Sequence, residues 1–287
     1  MKKCFHILLT AVTLCGFSAA PSWAQQYQEP FLSDETRPNG LLWLPEPPDL
    51  TSAEFTYDFY YYQMGRKLRE VDGMGEQALS DESAALSDVF SEALDIELSY
   101  ENTPEIMKLV ERATTDVHRA NTVVKNHYKR VRPFAQFKEP SLKPETDEEE
   151  AATYSFPSGH SSRGWMYALV LASVVPECAE ELFDRAHAYA DNRIVCGHHW
   201  KSDTDASLML AAGIFATVVS TEEYRAQLVK AREEYERLKS DPTAVRSAKA
   251  RAAAGSSATY DLHGHRLDTA PTVPGVYIAN GQKTVVK

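Results

Sequence analysis

Cysteine is scarce in this chain, four in 287 residues, and two of the four, Cys4 and Cys15, fall within the first 24 positions. That excludes a disulfide framework as the source of stability. The other two, Cys178 and Cys196, are joined by residues that read as one helix, Ala179 to Val195. At ~1.5 Å per residue its ends stand about 24 Å apart, whereas a disulfide needs Cα atoms ~4.4–6.8 Å apart, so no bridge is expected. Also missing is any apolar run of the ~18 or more residues that span a bilayer, which leaves no expected stable membrane insertion. Strand-like alternation is absent between residues 52 and 240, so the body is read as all-α. Basic charge is the last shortage: 30 Lys and Arg face 41 Asp and Glu. Such a chain repels nucleic acid and anionic surfaces at long range. Any anion it binds must be met by a local group of cations.

The chain opens with Lys2 and Lys3, a mostly apolar stretch from Ile7 to Ala20, and the small-x-small pattern Ser22–Trp23–Ala24. Residues 1–24 therefore read as a secretory signal peptide cut before Gln25, which implies export to the periplasm. Its removal takes two lysines and no acid, leaving a formal charge of −13. A chain of the remaining length buries a substantial core without a metal or a staple.

Residues 25–240 form the expected helical domain. Gln25 to Thr51 is proline-rich and lacks helical spacing, as an extended arm would. From Ser52 to Val71, Tyr57, Tyr60, Tyr61, Met64 and Leu68 recur at spacings of three and four and are expected to face the core. Ser80 to Ala93 and Pro104 to Tyr128 repeat the helical pattern. Lys138 to Thr153, with the run Asp147 to Glu150, reads as a solvated loop, since adjacent carboxylates do not converge on one metal ion. Ser161 to Val175, Glu177 to Val195, and a segment from near Lys201 to about Val219 follow as helices. The last is apolar nearly all round and is expected to be central. Glu222 to Leu238 is an amphipathic surface helix. Residues 241–259 form a linker, and 260–287 a β-rich tail in which Asn280–Gly281 between two β-branched runs predicts a hairpin.

Three stretches carry chemistry. Lys125 and Arg132, expected at the end of a helix running into Pro133, put two cations on one side, as a tetrahedral oxyanion requires. Ser158–Gly159–His160 leads into a helix start, where free backbone N–H groups bind anions, the Ser158 hydroxyl adds a donor, and His160 is placed to protonate a leaving group. In Asn192 to Asp203, Arg193 precedes His199 by six positions and Asp203 follows it by four. A carboxylate there fixes Nδ1–H and leaves Nε2 to attack. His198 lacks those offsets and, on a helix, would point about 100° away.

Lys125-x6-Arg132–Pro133, then Pro157–Ser158–Gly159–His160, then Arg193-x5-His199-x3-Asp203 resembles the three-part signature of the type 2 phosphatidic acid phosphatase superfamily. The wider match, from about Leu41 to Leu238, resembles class A bacterial non-specific acid phosphatases. The resemblance implies a helical bundle of the kind shared with vanadium haloperoxidases. It implies a hydrolase acting on small-molecule phosphate esters, with no cofactor and no metal. In that scheme Lys125, Arg132, Arg193, Ser158 and the Gly159 and His160 amides hold the phosphoryl oxygens. His199 attacks to give a phosphohistidine, His160 protonates the alkoxide, Asp203 orients His199, and water completes the cycle. A homo-oligomer stays open.

Three positions depart from the family pattern: Asn192 for serine, Tyr154 for glycine and Phe156 for tyrosine, of which Tyr154 puts substrate preference in question. Other readings of the same residues are a nucleotide or pyrophosphate phosphohydrolase, a vanadate-dependent haloperoxidase with His199 as ligand, and a non-catalytic phosphate-binding protein. The tail resembles a type IX secretion signal, which would make the protein secreted or cell-surface rather than periplasmic.

Overall fold

A computed structural model describes residues 28–241 and, in the tail, the strands named below; the expected signal peptide and most of the linker lie outside the described residues. The body consists of ten helices: α1 (Phe55–Leu68), α2 (Met74–Ser83), α3 (Leu86–Leu94), α4 (Pro104–Tyr128), α5 (Pro133–Phe137), α6 (Asp147–Ala151), α7 (Gly159–Val174), α8 (Ala179–Cys196), α9 (Lys201–Val218) and α10 (Glu222–Ser240). The all-α reading holds for this body. In the tail, β1 (Thr259–Tyr260), β2 (Arg266–Leu267), β3 (Gly275–Ala279) and β4 (Gln282–Val286) pair antiparallel in the order β2-β1-β3-β4. The pairs Val276 with Val285 and Ala279 with Gln282 make the expected hairpin register.

The centre of the body is α7, which packs against α4, α8 and α9. Val170 and Leu171 of α7, Leu109, Val110 and Val117 of α4, Leu182 of α8, and Leu210 and Ile214 of α9 meet in one core. Although α9 is apolar on all sides, it is not the central helix, because Met209 and Ala212 face solvent. Among the described residues no single helix is long and apolar enough to cross a membrane, and the pair α9–α10, which passes by length and composition, bends by 96°. At the N-terminus of α4, the Glu234 carboxylate of α10 accepts the otherwise unpaired Glu105 and Ile106 amides. The arm is held the same way: the Phe31 and Leu32 amides donate to Asp116 at 2.8 and 3.1 Å.

In α1 the buried face is turned from the expected one by about one residue, ~100°, and of the expected stripe only Tyr61 and Leu68 are half-buried, Leu68 packing near Val195 and Cys196. Tyr60 is 57% exposed, and Tyr57 and Met64 also face solvent, whereas Tyr62 is 1% exposed and Asp58 and Gly65 are buried with it. Close approach decides this, since a Cβ on Gly65 would stand 2.6 Å from the Ile194 carbonyl oxygen of α8. The helix must turn its glycine to α8, and the aromatic stripe goes outward. Ser80 to Ala93, read as one helix, breaks at Ala84 and Ala85, whose extended ψ values separate α2 from α3. Cys178 and Cys196 are free thiols at opposite ends of α8.

Candidate active site

The site lies where three chain breaks meet. Helix α8 ends at Gly197, whose φ of +79° suits glycine, and the Gly197 and His198 amides fold back to the Ile194 and Arg193 carbonyls. Arg69, just after α1, closes this end by donating to the Val195 and Cys196 carbonyls at 2.7 and 2.9 Å. His198 and His199 are thereby placed in the bend between α8 and α9, not on a helix. Helix α9 begins at Lys201, and the Asp203 carboxylate reaches back to accept the Trp200 N–H at 2.9 Å. The same oxygen stands 3.3 Å from His199 Nδ1.

The other face of His199 carries its tautomer. Arg132 Nη1 lies 3.0 Å from His199 Nε2, and a guanidinium can only donate. Nε2 therefore presents its lone pair, and Nδ1 bears the proton toward Asp203. Burial and the charges of Arg132, Lys125 and Arg193 hold the His199 pKa well below the ordinary value. Burial raises that of Asp203, opposed first by Arg130.

Arg132 reaches the site by a different route from the one the spacing suggested. Helix α4 ends at Tyr128, Lys129 turns left-handed with φ +47°, and Arg132 sits in extended backbone before α5. It is the loop, not a shared helical face, that brings Arg132 near Lys125. Lys125 Nζ donates to the Tyr154 carbonyl at 2.6 Å, and burial with the Arg132 charge pushes its pKa well below the lysine range. The segment 138–153 is not simply a solvated loop. It contains α6, whose Glu150 carboxylate lies 2.7 Å from Arg132 Nη2.

Arg193, expected beside His199, instead meets His198 Nδ1 at 2.8 Å and pairs with Glu82 of α2. Its Nε is buried without a hydrogen-bond partner. Ser158 caps α7: its Oγ accepts the Ser161 amide at 3.2 Å and the Ser161 hydroxyl at 2.9 Å, leaving only its own O–H to donate elsewhere. The turn is clamped to α9, since the Ser158 amide donates to the Asp203 carbonyl and Ser207 Oγ lies within 2.8 Å of both carbonyls. At Gly159 a Cβ would meet only Asn121 Oδ1, at 3.7 Å, so packing does not demand glycine there. His160 stacks on Tyr189 at 4.2 Å, its Nε2 is buried without a partner, and burial with the Arg163 charge pushes its pKa down to about 3.

At the departures, Asn192 donates to Asp81 at 2.7 Å, beside Arg185, which holds both oxygens of the same carboxylate. The Phe156 ring is buried against Tyr128.

Sequence reading missed Arg130 and Asp58. Arg130 bridges two fully buried carboxylates, Asp203 at 2.7 Å and Asp58 at 2.6 Å, and Asp58 also accepts the Ser202 amide and hydroxyl. The available signal was Asp58, Tyr62, Gly65 and Arg69 at helical spacing, a polar and glycine stripe beside the more conspicuous aromatic one. Among the described residues no group of three or more His, Cys, Asp or Glu side chains is arranged to hold a metal ion.

Comparison with known proteins adds the following. Residues 113–227 match the family model described as the PAP2 superfamily. A non-specific acid phosphatase of Providencia stuartii is 33% identical over 248 residues, covering 83% of this chain and 100% of that protein. One from Salmonella typhimurium is 31% identical over 82% of this chain and 93% of its own length. An acid phosphatase of Zymomonas mobilis is 28% identical over 82% and 90%.

Proposed function

The chain belongs to the PAP2 superfamily, and from that premise we propose that it is an exported acid phosphatase that hydrolyses phosphate monoesters through a phosphohistidine on His199. The observation that carries this reading is the pairing of His199 with Asp203 on Nδ1 and with a cation on Nε2. A buried imidazole so held is neutral, has its lone pair on the reacting nitrogen, and lies beside positive charge that attracts a phosphoryl group.

Lys125, Arg132 and Arg193 supply the charge that neutralises the phosphoryl oxygens, and the Gly159 and His160 amides at the start of α7 supply further donors. The partnerless buried Arg193 Nε, which can only donate, favours an anionic guest, since leaving such a group unsatisfied costs about 1–3 kcal/mol. His160 protonates the departing alkoxide, a step worth about 10²–10⁴ in rate. Burial and the Arg163 charge push its pKa down to about 3, and a phosphoryl dianion alongside raises it and populates the donating form. Water then attacks the phosphohistidine with His160 as base. With three cations in place the scheme requires no metal. The reading of residues 1–24 as a signal peptide supports export.

The pH dependence follows from the shifts. His199 stays neutral into the acid range, because its pKa is lowered. Lys125 loses its charge as pH rises through a value well below 10.5, so phosphate affinity falls on the alkaline side. The test is hydrolysis of p-nitrophenyl phosphate, nucleoside phosphates and pyrophosphate from pH 4 to 8 with a chelator present. Turnover of monoesters with an acidic optimum, unaffected by the chelator, is expected. Loss of activity to the chelator, or none toward any ester, contradicts the reading.

A further inference from the structure

We propose that the Glu150 carboxylate is an internal counter-ion that substrate phosphate displaces from Arg132, and that Glu150 thereby sets how tightly the site holds phosphate. The inference rests on the phosphatase reading and deepens it.

The donor inventory of Arg132 carries it. A guanidinium has five N–H groups. Here Nε donates to the Glu150 carbonyl at 3.0 Å and to Thr153 Oγ1 at 3.1 Å. Nη1 reaches the His198 carbonyl and His199 Nε2, both at 3.0 Å. Nη2 reaches Thr153 Oγ1 at 2.8 Å and the Glu150 carboxylate at 2.7 Å. Each of the three guanidinium nitrogens is thus engaged by the protein, Nη2 by hydrogen bond to Thr153 and by ion pair to Glu150, and so is the lone pair of His199. Lys125 is likewise engaged by the Tyr154 carbonyl. Residues 150–154 thus offer two carbonyls, a hydroxyl and a carboxylate to two cations.

A phosphoryl group cannot take a bidentate hold on Arg132 until some of these contacts are given up. Nor can phosphorus approach Nε2 until Nη1 withdraws from it. Among the oxygens that leave, only that of Glu150 is charged. Its ion pair with Arg132 is the strongest competitor and a residual repulsion once displaced. Charge is the issue rather than shape, so the isosteric amide isolates it.

If Glu150 instead served to orient Arg132 for phosphate, its neutralisation would weaken binding, so the two roles differ in sign. The experiment measures Kd for inorganic phosphate by titration calorimetry, and KM for p-nitrophenyl phosphate, in the wild type, Glu150→Gln and Glu148→Gln. Glu148 is an exposed neighbour on the same short helix and reports the general field of α6. The expected result is a Kd about tenfold lower in Glu150→Gln, a shift of ~1.4 kcal/mol, with KM falling in parallel and Glu148→Gln close to wild type. An unchanged or higher Kd in Glu150→Gln overturns the inference, as does an equal gain in Glu148→Gln. Wild-type protein that binds no phosphate and turns over no ester removes the phosphatase reading itself. Wild-type protein that does both while Glu150→Gln gains nothing removes the counter-ion alone.

Discussion

Asp203 accepts from three groups at once: the Trp200 amide, His199 Nδ1 and Arg130. The first starts α9, the second sets the imidazole, and the third compensates the charge of a carboxylate that is fully buried. Arg130 does the same for Asp58. Removing it leaves two buried carboxylates without their cation, a defect that costs about 3–5 kcal/mol. Arg130→Ala is therefore expected to lower the unfolding free energy by that amount at pH 7. With Arg130 gone, the Asp203 pKa, already raised by burial, rises further above its unfolded value, so the deficit is present where Asp203 is ionised and shrinks as pH falls toward 4. Chemical denaturation at the two pH values checks this, and Arg130→Lys, keeping one charge, should recover part of it. The Lys125, Arg132, Ser158, His160, His199 and Asp203 positions were singled out as candidates because each stands in a short stretch with its own spacing. Arg130 and Asp58 were not, because they meet across 72 residues.

At the scale of elements, the long helices were legible and their faces were less so. Pro104 and the periodicity after it give α4 its full span, and glycine with a positive φ ends α8 where the apolar pattern stops. In α1, periodicity finds the helix, but which side is buried depends on Gly65 meeting the Ile194 carbonyl, a contact no local pattern contains. Arg132 was displaced for a related reason: Lys129 adopts a left-handed conformation that its side chain does not announce. The rotated face of α1 makes a direct prediction. Tyr62→Ala should cost about 3–5 kcal/mol of stability, as loss of a buried aromatic does, whereas Tyr60→Ala should stay within about 0.5 kcal/mol. Melting curves of the two variants compare them, and equal losses would restore the outward stripe to the core.

For the whole molecule, the shortages fit together. An acidic chain with few cysteines folds around an apolar helical core and buries three cations, Lys125, Arg132 and Arg193, whose charges all act on His199 in the α8–α9 bend. In the proposed reading that local charge is what draws a phosphate ester to an otherwise acidic chain. It also keeps His199 neutral, with an unprotonated Nε2 that is free to attack once Arg132 Nη1 withdraws, which is the claim on which the proposed chemistry depends. The most direct measurement is a base quench of the enzyme during turnover of p-nitrophenyl phosphate, followed by peptide mass spectrometry. A phosphoryl group on His199, absent together with turnover in His199→Ala, is the predicted result. A phosphoryl group on another side chain, or turnover retained in His199→Ala, would contradict it.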